Sequence, residues 1–157
     1  MADFRSSASF GKRQEYVVVG ELLKRDFDVY MTLVDDQQID CVVRIEKRRK
    51  PVYLDIQIKA RSKSAKHIGL FAGMKIEHPR KNFVYVFFSE EANTYWLIPS
   101  KDLARLASRN KQGLNQGKYS VTLVSKRKNG EIVPNKSFDY WKNKWDILHD
   151  CAASLAP

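Results

Sequence analysis

Cysteine is scarce in this sequence, with only Cys41 and Cys151 among 157 residues. A disulfide framework in a chain of this size would use more, so Cys41 reads as a small buried hydrophobe within Cys41–Val43 and Cys151 as a tail residue. Long apolar runs are missing too. The longest, Tyr16–Val19 and Phe83–Phe88, fall well short of the roughly 20 residues that a membrane span needs, so no membrane segment is expected. The first ten residues carry neither a basic-then-apolar leader nor a small-residue cleavage site, and the expected location is the cytoplasm. Without a glycine-rich phosphate loop or a nucleophile elbow, the sequence lacks the usual supports for phosphate-loop chemistry and for Ser-His-Asp catalysis. His67 and His78 have no cysteine pair at ligand spacing, so a zinc site is not expected. Acidic residues are also in deficit: 18 Asp and Glu face 28 Lys and Arg, a formal charge of +10. Such a surface attracts polyanions, nucleic acid ahead of acidic lipid or acidic protein.

What is present is enough for a packed core, since 43% of the residues are apolar and 11% aromatic. The length fits one domain over residues 1–157, with a core over about 10–90 and a C-terminal extension over about 91–150. Helical spacing of Val18, Val19 and Leu22 predicts a first helix over Phe10–Arg25. Three short β-rich runs follow, at Asp28–Val34, Ile39–Glu46 and Val52–Lys59. Lys47–Pro51 between the last two fits a hairpin loop. Glycines 69 and 73 suggest a short helix within Ile68–Glu77. The nearly unbroken apolar run Phe83–Ser89 has the pattern of a central strand covered on both faces, joined to Val52–Lys59 by a right-handed crossover. Further strands are expected at Thr94–Ile98 and Tyr119–Val124, a helix over Asp102–Ser108, and a final helix carrying Phe138, Trp141, Trp145 and Leu148. The two tryptophans are read as packing that helix on the sheet.

Two polar anomalies interrupt the apolar pattern. Glu15 lies among Val18, Val19 and Leu22 on the face that should be buried. An unpaired carboxylate there costs several kcal/mol, so a cation should sit opposite it. In the third strand Leu54, Ile56 and Ile58 share one face, which leaves Asp55, Gln57 and Lys59 on the other, spaced about 6.6 Å apart. If the second and third strands pair as a hairpin, Asp40 and Gln57 come close enough for their oxygens to share one hard cation. Simpler roles are available to each alone: Glu15 paired with a Lys or Arg, Asp40 as a turn residue, Lys59 as a strand-end surface lysine.

The order Glu15, Asp40, Gln57-Ile58-Lys59 resembles the PD-(D/E)XK nuclease superfamily, which includes restriction enzymes, Holliday-junction resolvases and some homing endonucleases. Asp26-Phe27 falls where these proteins usually close the helix with Gly-Phe. The segments Tyr95–Leu103 and Tyr140–Leu148 are similar to a bacterial subgroup on this fold, and the resemblance runs from about Gly11 to His149. It implies an α/β, restriction-endonuclease-like fold with a central mixed sheet flanked by helices, and a magnesium- or manganese-dependent DNA endonuclease of resolvase or restriction type. In that reading Asp40, Gln57, the Ile58 carbonyl and Glu15 hold metal, and Lys59 positions the attacking water; Glu15, Asp40, Gln57 and Lys59 form the catalytic set. Three basic loops would grip DNA phosphates: Lys47, Arg48, Arg49 and Lys50; Arg61, Lys63 and Lys66; Lys126, Arg127 and Lys128. A homodimer is expected, because two strands need two cuts. Most active members have Asp or Glu where this chain has Gln57, which coordinates as a neutral donor and predicts weaker metal binding. Asp55, two residues earlier, is a less favoured substitute carboxylate. The alternative is a catalytically inactive DNA-binding module or partner subunit on the same fold, and the residues do not separate DNA from RNA.

Overall fold

The computed structural model describes residues 4–34 and 37–155. Its elements in chain order are helix α1 (Phe4–Leu23), strands β1 (Asp28–Met31), β2 (Cys41–Ile45), β3 (Val52–Arg61), β4 (Leu70–Met74), β5 (Phe83–Ser89) and β6 (Thr94–Pro99), and helix α2 (Ser100–Leu106). Strands β7 (Ser108–Arg109), β8 (Tyr119–Thr122), β9 (Val124–Lys126) and β10 (Ile132–Pro134) follow, then a 3₁₀ turn over Lys136–Trp141 and helix α3 (Ile147–Leu155).

A mixed five-stranded sheet in the order β1-β2-β3-β5-β6 is the centre of the molecule. All neighbours in it are antiparallel except β3 and β5, which run parallel with Gln57 beside Tyr85 and Lys59 beside Phe87. β5 is buried at every position, as its unbroken apolar sequence requires when both faces are covered. α1 packs on β1 and β3, and α3 packs on β3. The main core includes Val18 and Leu22 of α1, Leu54 and Ile56 of β3, and Leu148 and Ala152 of α3. Cys151 is buried within α3 and so is a core residue, not a tail residue.

α1 ends in a Schellman arrangement, in which Phe27 N–H donates to the Leu22 carbonyl at 3.2 Å and Asp26 N–H to that of Leu23 at 3.0 Å. Asp26 takes φ +60°, the left-handed conformation in which glycine is unstrained. Leu22 and Phe27, which that motif brings together, are both buried. The chain therefore turns tightly out of α1 into edge strand β1.

Three expected elements differ. Ile68–Glu77 holds strand β4, not a helix; it pairs with β8 in a second sheet of order β4-β8-β7. Its two glycines answer to packing and register: Gly69 is pressed against Val124, and Gly73 takes φ +71° where the β4–β8 register shifts. The expected strand Tyr119–Val124 is divided between β8 and β9, which join different sheets. The single final helix is replaced by the 3₁₀ turn and α3, separated where Asn143 adopts φ +50° and Tyr95 N–H donates to its side chain at 3.0 Å. The apolar spacing from Phe138 to Leu148 thus reflects burial of two short elements on one core.

Candidate active site

The ends of β2 and β3 bring Asp40 and Gln57 together. Cys41 stands opposite Ile56 in the antiparallel ladder, so the next step of the register sets Asp40 opposite Gln57, with side chains on one face. The Asp40 N–H donates to the Ile56 carbonyl at 2.9 Å, and its carbonyl accepts from the Thr32 N–H at 3.3 Å and the Thr32 hydroxyl at 3.1 Å. Its carboxylate Oδ2 accepts the Ile58 N–H at 2.6 Å, a short charge-assisted bond that fixes the side chain against β3. Even-numbered residues of β3 turn their peptide groups toward β2, and the Ile58 carbonyl lies past the last paired residue of that strand.

Gln57 is 7% exposed, and its Oε1 is buried with no hydrogen-bond donor among the described residues. Such an acceptor is uncommon in a folded protein because leaving it unmade costs about 1–3 kcal/mol. Its neighbour Tyr85 is 3% exposed, and burial pushes the phenol up to about 12, with Arg80 acting in the opposite sense. Lys59 is half-buried, two residues beyond Gln57 on the same face.

Glu15 reaches this end of the sheet from α1. Its side chain is 18% exposed and forms an ion pair of 2.5 Å with Lys12, one helical turn earlier. Glu15 is thus half-buried at the edge of the apolar face and not within it as its spacing predicted, and the expected cation is supplied by its own helix. The hydrogen bond and charge of Glu15 raise the Lys12 pKa, with a smaller contribution from Asp40. Burial pushes the Cys41 thiol up to about 12, assisted by Asp40 and then Glu15. Both carboxylates thus act on Lys12 of α1 and on Cys41, the first residue of β2. No three His, Cys, Asp or Glu side chains among the described residues group as a metal site. Among the described residues the candidate oxygen donors are the Asp40 and Glu15 carboxylates, the Gln57 amide and the Ile58 carbonyl. Oxygen donors of this kind suit a hard divalent ion, and the orphaned Gln57 oxygen is the feature such an ion would satisfy.

Asp55 serves a different purpose, pairing with Arg80 at 3.1 Å. Burial raises its pKa against the lowering effect of that arginine. Lys12, Arg80 and Ser100 around this site were not singled out by the sequence. For Lys12, the spacing of three residues from Glu15 was an available signal.

The cationic loops are dispersed. Lys47, Arg48, Arg49 and Lys50 lie at the turn of the β2–β3 hairpin, about 20 Å along the strands from Asp40. Arg61 ends β3 on the Lys59 side, where its Nε donates to the Leu70 carbonyl at 2.7 Å. Lys63 and Lys66 are exposed in the following loop. In the β9–β10 hairpin Lys126 pairs with Glu91 and Arg127 with Glu131 at 2.8 Å, whereas Lys128 sits exposed at the tip. Among the described residues no helix is long and apolar enough to cross a membrane.

The mixed central sheet with its flanking helices is shared with solved structures. A bacterial homing endonuclease, I-Ssp6803I, superposes with a TM-score of 0.62 at 20% identity, over 94% of this chain and 96% of that chain. D212, a nuclease from a fusselovirus, superposes with a TM-score of 0.55 at 16% identity, over 91% of this chain and 92% of that chain. No protein-family model matches the sequence, and no curated protein matches it. The structural likeness spans nearly the whole chain and establishes the fold it shares with these nucleases.

Proposed function

We propose that this protein is a metal-dependent DNA endonuclease of the PD-(D/E)XK type, with a restriction-endonuclease-like fold, that hydrolyses phosphodiester bonds. The observation that carries this reading is the buried Gln57 oxygen, which lacks a donor among the described residues and stands opposite Asp40 at the end of the hairpin. Two solved structures that share the fold are a homing endonuclease and a nuclease, which supports DNA as the substrate. Asp40, the Gln57 amide oxygen and the Ile58 carbonyl would hold magnesium or manganese, with Glu15 beside them. Such an ion supplies Lewis-acid activation and neutralises developing charge on the phosphate. The Ile58 N–H keeps Asp40 oriented, and Lys59 offers a cation on the same face for the attacking water and the transition-state charge. Glu15 would have to exchange Lys12 for that ion or for a water next to it. The excess of positive charge in the loops would hold the phosphate backbone.

A second reading is favoured by the Lys12–Glu15 pair and by Gln57 itself: a DNA-binding subunit with this fold that does not cut. One experiment separates the two. Supercoiled plasmid is incubated with the protein and magnesium or manganese, alongside Lys59→Ala and Asp40→Asn. Nicking that is lost in both variants supports the endonuclease. Nicking that persists unchanged in both, or no nicking by the parent protein, overturns it.

A further inference from the structure

The loop from β4 to β5 plays no part in the proposed chemistry, yet it walls a cleft beside it. Residues Lys75, Glu77, His78 and Arg80 of this loop face Gln37 and Gln38, which lead into Asp40, across a space of about 350 Å³ that also touches Phe83 and Tyr85. Tyr85 is the register partner of Gln57, so the cleft lies next to the candidate metal-holding amide on the same side of the sheet.

Its wall is pinned at Arg80. The Arg80 N–H donates to Ser100 Oγ at 2.9 Å, and that hydroxyl donates back to the Arg80 carbonyl at 2.8 Å. The guanidinium pairs with Asp55 at 3.1 Å and lies 5.0 Å over the Phe83 ring. Arg80 is thus committed to holding the loop, while Lys75 and His78 remain exposed. Among the described residues Glu77 is the one carboxylate of the lining, against Lys75, Arg80 and the imidazole of His78. The volume falls within the range of ordinary small-ligand sites. Amide side chains carry both a donor and acceptors, as reading a base edge requires, and cations meet phosphates.

We infer that this cleft is a strand-binding subsite that takes one nucleotide of a DNA strand beside the Asp40–Gln57 end of the hairpin. Lys75 and His78 contact its phosphate, and Gln37 and Gln38 face its base. The assignment rests on the endonuclease reading for the identity of the polymer, so its test is run without metal, where cleavage plays no part.

Fluorescence anisotropy with a short duplex and the matching single strand, in EDTA across a salt series, provides the measurement. Each phosphate contact contributes to binding roughly as the inverse 0.9 power of salt concentration, so Lys75→Ala should weaken duplex binding about eightfold at about 0.1 M salt and lower the salt slope by about one. His78→Ala should also weaken binding. Lys136→Ala, at an exposed lysine of the 3₁₀ turn, controls for net charge. A loss in Lys75→Ala no larger than in Lys136→Ala overturns the subsite, even if the parent protein cuts plasmid. A larger loss in a protein that never cuts plasmid leaves the subsite standing and removes the endonuclease. Absence of DNA binding by the parent protein refutes both.

Discussion

Replacing Gln57 by Met should make the metal-free protein more stable while abolishing its response to divalent ions. The Gln57 side chain is 7% exposed, and its oxygen accepts no hydrogen bond from the described residues. Met keeps the unbranched shape and removes the polar atoms, recovering the penalty of about 1–3 kcal/mol for an unmade buried bond. Allowing about 1 kcal/mol for whatever the amide nitrogen contributes, the net gain is about 0–2 kcal/mol. For a chain of this length that raises Tm by up to roughly 6 °C. The assay is thermal unfolding in EDTA, followed by titration with manganese. The parent protein should gain about 2.7 kcal/mol when the ion is at about a hundred times its Kd, and Gln57→Met should gain nothing. The two stabilities should therefore approach each other, or cross, as metal is added. A Met variant less stable than its parent in EDTA would show that the amide oxygen already has a donor. An equal metal response in both would refute its place in the metal site.

Asp26→Gly should stabilise the protein by about 0.5–1 kcal/mol in urea unfolding, because φ +60° is strained for a residue with a side chain; a loss of stability would show that the Asp26 side chain matters more than its backbone. Gly69→Ala should destabilise by about 3 kcal/mol or more, since a Cβ there would lie 2.2 Å from the Val124 carbonyl oxygen and 2.7 Å from its nitrogen. A midpoint within experimental error of the parent would contradict the close approach of Gly69 to Val124 of β9. The buried thiols should also give an alkaline limit. Cys41 is raised to about 12 and Cys151 to about 11, both mainly by burial, above an ordinary value of 9.0. Their burial therefore supports folding fully below about pH 9, and the support is lost as pH climbs toward 11 and 12. Iodoacetamide at about pH 8 should react at Cys41 about a thousandfold more slowly in the native protein than in urea, and comparable rates would refute its burial.

Much of the central sheet could be read from the chain because its determinants are local or composed of one residue class. Phe83–Ser89 matched β5 end to end, a short run rich in β-branched and aromatic residues whose seven positions are all buried, the pattern of a strand covered on both faces. The alternation in Leu54, Ile56 and Ile58 placed Gln57 and Lys59 on one face of β3, as the register with β5 has them. The segment Ile68–Glu77 went the other way. Its glycines were read as helix punctuation, but one answers to a backbone contact with Val124, some 55 residues away, and the other to a register shift. Neither partner is visible in a local window. The late aromatic spacing misled for a similar reason, because Phe138, Trp141, Trp145 and Leu148 can share one buried side without sharing one helix.

By itself, then, the sequence determined the positive surface, the parallel β3–β5 centre and the candidate residues Glu15, Asp40, Gln57 and Lys59. Periodicity and charge are properties of the chain and survive any folding of it. Only the tertiary structure decided that Lys12 answers Glu15, that Asp55 holds Arg80, and that the hairpin cations lie far from Asp40. It also decided that the Gln57 oxygen is left without a donor among the described residues. Pairing and burial depend on which neighbours arrive in space, and a strand pattern specifies a face without saying what will stand across from it.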